Sequence, residues 1–333
     1  MSEMMREAMY YKKLKSGTLQ CELCPAFCLI PSMESGKCRS RENIEGKLYA
    51  VNYAKSVGLS IDPIEKKPLY HFRPGSRILS LGPNSCNLRC RFCQNFNISQ
   101  YENPTVEIGI EDLYKAILAK STVKQVAFTY TEPITWYEYI LDFAQKYRDV
   151  DIVLITNGFI NPAPLEELLP YVKAMNIDLK SMNQDFYKEQ CDGDLKPVQR
   201  TIRRVWEAGI HLELTFLMIP GLNDSDKEIE KLGEFVGDIS CDIPLHISAY
   251  HPDYLSDNPP TSLDDVARAI SIARKKLRYV YGGNLPIDDF ANTMCPKCGA
   301  ALITRGFMNT RNIVLQDGSC PACKQVIYGV YEK

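Results

Sequence analysis

The sequence predicts an α/β protein, a partial (βα)6 barrel with small cysteine-rich, metal-binding appendages at its N- and C-terminal ends. Three observations lead there. Strand-like and helix-like segments alternate about six times between Arg77 and Gly283, and such alternation implies a parallel sheet with helices packed outside it. Cys86, Cys90 and Cys93 form a C-x3-C-x2-C triplet on a loop directly after the first of these strands. Two cysteine quartets flank the alternating region, Cys21, Cys24, Cys28 and Cys38 before it and Cys295, Cys298, Cys320 and Cys323 after it. The expected organisation is a cysteine-rich segment over 1–75, a barrel over 76–284 and a zinc-ribbon-like segment over 285–333.

Taken in order, residues 1–20 are charged and predict a helix. Next, CELCPAFCLIPSMESGKC spaces its thiols as C-x2-C-x3-C-x9-C, with Pro25, Pro31 and Gly36 turning the chain between them. Four thiolates suit a tetrahedral zinc site or an iron–sulfur cluster, and unligated thiols are the third reading. Spacing does not choose between them. Residues 48–76 form a Pro- and Tyr-rich connection containing His71, and a lone His is more often a packing residue than a catalyst.

The strand candidates are Arg77–Leu81, Gln125–Thr129, Asp151–Thr156, Ala174–Leu179, His211–Met218 and Leu245–Ala249. The helix candidates are Glu111–Lys120, Thr135–Lys146, Ala163–Leu169, Val198–Ala208, Asp226–Phe235 and Leu263–Lys276. Pro133 precedes the second helix, where a missing N–H costs little, and Thr261-x-x-Asp264 has the form of a capping box for the last. A complete eight-unit barrel takes ~250 residues, so six units in an open barrel suit this span better. A doubly wound sheet is the alternative, but no G-x-G-x-x-G follows the first strand. In the tail, CPKC and CPAC stand 21 residues apart, a strong zinc-ribbon signal with an iron–sulfur cluster as its rival.

Bulk properties narrow the function classes. A length of 333 residues suffices for a large core with appendages. The net charge of −2 gives no electrostatic reason to expect nucleic acid or an anionic membrane as partner. No 18-residue apolar span and no apolar leader segment is present, so a cytoplasmic protein is expected. Thirteen cysteines fall into sets of four, three and four plus Cys191 and Cys241. In a reducing compartment such sets read as metal sites rather than a disulfide framework.

The triplet carries the chemistry. A [4Fe–4S] cluster normally takes four thiolates, so three leave one iron open to a small ligand. A zinc site would want a fourth N or S ligand nearby, yet Cys38 and Cys191 are distant in sequence and no His lies between 72 and 210. Unligated structural thiols are the bland alternative. Ligands of a βα barrel bind where its strands end, so the strand ends supply the other candidates. Glu132 follows the second strand, with a helix N-cap carboxylate as its plain reading. Asn157 and Gly158 follow the third and suit a simple turn. Asn176, Asp178 and Lys180 share one face of the fourth strand, where Asp178 and Lys180 also suit a structural ion pair. Thr215 on the fifth should lie near the mouth, and His251 follows the sixth.

The cysteine loop resembles that of the radical S-adenosylmethionine (SAM) superfamily. The resemblance implies that SAM chelates the open iron through its amino and carboxylate groups. It also implies that an electron from the cluster cleaves SAM to a 5′-deoxyadenosyl radical, which abstracts hydrogen. Many members carry Gly-Gly-Glu at the second strand end, where this chain has Tyr130-Thr131-Glu132. TNGF, IDLK, IPG and YH together resemble the glycyl-radical-enzyme activases, including pyruvate formate-lyase activating enzyme, over about 80–255. That likeness implies that Phe92 touches the adenine and that Thr131 and Glu132 meet the methionine part of SAM. Asn157, Asp178 and Lys180 would line the SAM site, with His251 near it. Activases often have Asp before TNG, where Ile155 stands here. The N-terminal cysteine set, KKPLYHFRPGS, CQNFNISQ, AYHPDY, GGNLP and the terminal double C-x2-C resemble the AmmeMemoRadiSam-system enzymes over nearly the whole chain.

The reading is thus an oxidoreductase that takes an electron from a donor such as flavodoxin or ferredoxin. If the activase likeness extends to function, its substrate is a glycine of a partner protein. Radical modification of a small molecule is the rival, and no residue specifies the hydrogen donor or a further catalytic group. A non-catalytic, metal-stapled interaction or nucleic-acid-binding module is the reading from another class, and the near-neutral charge weighs against it.

Overall fold

The computed structural model describes every residue except 1–4, 16, 121–122, 286–289, 307 and 332–333. Seven strands lie side by side in chain order: β1 (Arg77–Pro83), β2 (Gln125–Phe128), β3 (Asp151–Thr156), β4 (Val172–Asp178), β5 (His211–Met218), β6 (Leu245–Ala249) and β7 (Val280–Gly283). Each pairs in parallel with the next. The order never reverses, which excludes the doubly wound alternative. The free side of β1 pairs with an antiparallel strand, Lys55–Pro63, which Val106–Glu107 extends. The result is the expected six strand–helix units in a laterally open barrel, extended at its edge by a seventh parallel strand that the sequence does not predict.

Side-chain alternation divides the sheet's two faces. Leu79, Val126, Phe128, Ile152, Leu154, Met175, Leu212 and Leu245 belong to the main core under the outer helices. On the other parity, Ile78, Ala127, Val153 and Ala174 pack with Ile64, Leu69 and Phe72. The segment that carries KKPLYHF therefore fills the lower end of the barrel lumen.

The C-terminal unit docks on that end. A three-stranded sheet, Thr293–Met294, Ala301–Gly306 and Asn309–Ile313, forms its body. His71 is fully buried, with Nδ1 2.6 Å from the Tyr328 carbonyl and Nε2 2.5 Å from the Tyr281 hydroxyl. Burial pushes its pKa down to about 3. It joins tail to barrel as a packing residue. Arg305 Nη2 donates to the Tyr70 carbonyl at 2.6 Å, and both oxygens of buried Glu213 accept from the Tyr70 and His71 amides. His211 and His246 bond the same carboxylate, so these two histidines serve the plug rather than the mouth.

Four expectations need correction. The described part of residues 1–20 holds no helix; residues 1–4 and 16 of that stretch lie outside the described residues. Arg6–Glu7 and Tyr11–Lys13 are strands, paired with Lys47–Ala50 and Leu19–Cys21. Tyr10 packs edge-on against Tyr137 and Arg6 bonds Asp142, so tertiary partners override local propensity. The connection 48–76 contains the long strand Lys55–Pro63, and the helix Gln184–Cys191 was not expected. The capping box lies one residue on, between Ser262 and Asp265. Pro133 opens a 3-10 turn, Pro133–Trp136, and the helix proper begins at Tyr137. Pro286 of GGNLP lies outside the described residues.

Candidate active site

A cavity of about 390 Å³ occupies the upper lumen, above the floor made by Lys66, Lys67 and Pro68. Cys86, Cys90 and Cys93 form one wall. Phe92, Thr131, Glu132, Asn157, Asp178 and Lys180 line it too, as do Thr215 and Ser248. His251 is exposed on the loop after β6 and is not part of the lining. Close approach sets the start of the cysteine loop: a Cβ on Gly82 would stand 2.0 Å from the Thr129 carbonyl oxygen. Only glycine lets the ends of β1 and β2 meet there.

Glu132 is buried at the end of β2. Its Oε1 accepts from Ile134 N at 3.0 Å and Thr156 Oγ1 at 2.7 Å, and its Oε2 accepts from Asn157 N at 2.7 Å. It does cap the following turn, yet that duty leaves Oε2 with one protein donor. Burial pushes its pKa up to about 7 against these bonds. Asn157 is more than a turn residue: its side-chain amide donates to Asn87 Oδ1 at 2.8 Å and stands 3.8 Å from Cys86 Sγ.

The loop thiols receive polar partners. Leu88 N donates to Cys86 Sγ at 3.4 Å, and Ser99 Oγ lies 3.2 Å from Cys93 Sγ. Lys180 Nζ pairs with Asp178 at 2.9 Å. Burial opposes its charge, but Asp178 and the Cys90 thiol beside it push its pKa up. Lower on the same face, Asn176 accepts from Thr215 Oγ1 at 2.8 Å and donates to the Pro68 carbonyl at 2.7 Å, pinning the floor.

Sequence reasoning missed four contributors. Tyr130 takes a left-handed backbone, φ 70°, which glycine adopts without strain. Its hydroxyl donates to Asp62 at 2.7 Å, and Lys67 Nζ stands 4.5 Å from its ring centre. A tyrosine thus keeps the backbone turn that glycine would give, held by Asp62 on the strand Lys55–Pro63 and by Lys67 just beyond it. Lys67 also pairs with Asp62 at 2.6 Å, and burial pushes its pKa down to about 8. Burial acts to raise the Asp62 pKa, but bonds from Lys67 and Tyr130 outweigh it and hold the carboxyl low. The KKPLY phrase was the only local signal for Lys67. The fourth is Cys191, which is buried beside Cys90 behind the cavity wall, with its carbonyl accepting from Arg89 N at 2.8 Å.

The two quartets differ in geometry. Cys295 and Cys323 place their sulfurs 3.5 Å apart, and Cys298 and Cys320 place theirs 3.7 Å apart. All four ligand atoms lie within 4.8 Å of one another, the one such set among the described residues. Cys21, Cys24, Cys28 and Cys38 line a second, smaller cavity.

A family profile described as the radical SAM superfamily matches residues 82–236, a span that takes in the triplet, Glu132, Asp178 and β5. An uncharacterised protein of Methanocaldococcus jannaschii is 42% identical over 97% of this chain and 99% of its own length. The pyruvate formate-lyase 1-activating enzyme of Escherichia coli is 24% identical over 54% of this chain and 75% of that one. In structure, a radical SAM methyltransferase from Sphaerobacter thermophilus superposes with a TM-score of 0.51 at 16% identity, covering 63% of this chain and 67% of that one, a likeness of fold. Cysteine loop, open barrel and relatives agree: the chain is an enzyme that belongs to the radical SAM superfamily.

Proposed function

We propose that Cys86, Cys90 and Cys93 hold a [4Fe–4S] cluster with one iron facing the cavity, and that SAM occupies the cavity beside it. One observation carries this reading. Three thiols share a cavity wall with Glu132, Asn157, Asp178 and Lys180, and the described lining contains no further Cys or His. The donor set fits. The three thiols are not gathered to the 4.8 Å of the C-terminal set, as suits sulfurs bound to separate irons. When bound, cluster and SAM supply, through a one-electron reductive cleavage, a radical able to abstract hydrogen.

The chain's own residues bind and orient. Glu132 Oε2 has room for a second donor, since a carboxylate oxygen accepts about two, and takes the SAM amino group. Phe92 and Thr131 flank the adenine and methionine parts. Lys180 offsets thiolate charge at Cys90 and, with Asp178 and Asn157, presents polar atoms to SAM. The floor at Lys66–Pro68 closes the lumen beneath the reactants. The barrel over 76–284 is the catalytic unit, and the segments 1–75 and 285–333 support it. The C-terminal quartet holds structural zinc: a tetrahedral site with Zn–S near 2.3 Å puts sulfurs about 3.8 Å apart, close to the spacing of its thiols.

The likeness to pyruvate formate-lyase-activating enzymes supports a glycine of a partner protein as hydrogen donor, and flavodoxin or ferredoxin as source of the electron. A reducing cytoplasm suits thirteen free cysteines. The first test is anaerobic reconstitution followed by SAM and dithionite. 5′-Deoxyadenosine should form, and unchanged formation after triple replacement of Cys86, Cys90 and Cys93 by Ala would sink the assignment. For the substrate, deuterated glycine in a co-expressed partner should pass deuterium into 5′-deoxyadenosine. Label arriving only from a small molecule would exclude the activase reading.

A further inference from the structure

The N-terminal quartet has a built environment of its own. Cys21 ends the strand Leu19–Cys21, Cys24 and Cys28 lie in the turn that leads to Leu29–Ile30, Cys38 lies on the connection from there to Arg41–Ile44, and all four line one cavity. The same cavity is lined by Arg41, which is 1% exposed. Its Nη1 and Nη2 are used by the Met9 carbonyl at 2.8 Å and Glu138 at 2.6 Å, but its buried Nε has no hydrogen-bond partner. A buried N–H without an acceptor is costly. Lys37 N already donates to Cys28 Sγ at 3.4 Å. The site thus offers four sulfurs, backbone N–H groups on sulfur and one buried cationic N–H in need of an acceptor.

Spacing distinguishes zinc from a cluster. A mononuclear tetrahedral ion draws four sulfurs to about 3.8 Å of each other, and the C-terminal quartet has that geometry. No three of the N-terminal thiols gather within 4.8 Å of one another, though all four face one cavity. In an iron–sulfur cluster the thiolates are shared among irons that sulfide bridges hold apart, so the ligands stand wider. N–H groups aimed at sulfur are also the usual means by which a protein tunes such a centre.

We propose that Cys21, Cys24, Cys28 and Cys38 form a second iron–sulfur site, ligated by four thiolates and distinct from the loop triplet. Polar contacts connect it to that triplet. Asn87 lines the quartet's cavity and accepts from Asn157, whose amide also reaches Cys86 Sγ, and Arg89 bonds the Lys37 carbonyl. The proposal does not depend on the loop assignment.

The test measures metals in the full chain, reconstituted anaerobically with ferrous iron and sulfide. Wild type should bind about six to eight irons with matching sulfide and about one zinc, from the cluster stoichiometries. Replacing Cys86, Cys90 and Cys93 together by Ala should leave about two to four irons and equal sulfide, with a Mössbauer spectrum of a fully thiolate-ligated cluster. Adding Cys21→Ser, Cys24→Ser, Cys28→Ser and Cys38→Ser to that triple variant should abolish the remainder. Wild-type binding of about four irons with about two zincs, or iron loss that is complete in the triple variant, overturns the proposal. Iron equal in wild type and triple variant would retain this site and sink the loop assignment instead. The wild-type reading stands even where a variant fails to fold.

Discussion

The loop triplet and the C-terminal quartet use the same side chain for opposite ends. At the tail, four sulfurs converge within 4.8 Å in a small unit of short strands docked on the lower end of the barrel. At the loop, three sulfurs spread along the wall of a 390 Å³ cavity, among ionisable groups from the ends of β2 and β4. Four converged thiolates can fill the coordination of one tetrahedral ion, which suits a structural role. A spread set with an open side can hold a reagent and leave a coordination position for another. Thiol count and sequence spacing hint at this division, and the distances between sulfurs and the company they keep express it.

The comparison breaks first at Cys90. Cys90→Ala should cut 5′-deoxyadenosine formation by more than about 100-fold, beyond the 10–100-fold typical for loss of a mere outer-shell bond, measured by chromatography of a dithionite-reduced reaction. Next comes Glu132→Gln. SAM affinity, read by equilibrium dialysis, should fall about tenfold, the equivalent of roughly 1.4 kcal/mol. The same variant carries a pH signature. The folded carboxyl titrates near 7 because of burial, above its usual 4.5. The folded state therefore holds its proton longer than the unfolded state does. Stability should decline as pH rises from about 4.5 to about 7 and stay lowered above that range. Melting temperature against pH, without SAM, should show this decline in wild type and a flatter profile in the Gln variant.

The tail should respond in stability rather than chemistry. Cys298→Ser with Cys320→Ser should release zinc and lower the melting temperature by several degrees, as expected when metal binding is folding energy. Iron content per folded chain should remain within about twofold of wild type, and a complete loss of iron would erase the distinction between the two regions. The smallest effect is expected at Cys191. It adjoins Cys90 but lies behind the wall, so Cys191→Ala should keep iron content and SAM cleavage within about twofold. A large loss would make it a fourth ligand and remove the open iron.

What the sequence made legible follows range of interaction. β3, β5 and β6 span the residues that the sequence predicts for them, because a strand's apolar and β-branched pattern is a local property. Glu132, Asp178 and Lys180 line the cavity as βα-barrel logic expects. The misses are long-range. Lys67 and Asp62 reach Tyr130 across more than sixty residues, and Cys191 meets Cys90 only after the helix Gln184–Cys191 has folded back. The strand Lys55–Pro63 was hidden because its partners, Arg77–Pro83 and Val106–Glu107, lie on both sides of it in the sheet but after it in the chain. His251 is exposed on the loop beyond β6 and outside the cavity lining, and a loop beyond a strand end obeys no parity.

The plug in the lower lumen has a temporal consequence. A barrel sealed by Leu69, His71 and Phe72 is a cul-de-sac: whatever goes in must come back out by the way it entered. Under the proposed assignment, SAM reaches the inner berth before a bulky substrate covers the mouth. Spent methionine and 5′-deoxyadenosine then wait until that substrate departs. Traffic through the mouth is therefore last in, first out, and inhibition patterns in steady-state kinetics should bear the mark of that queue.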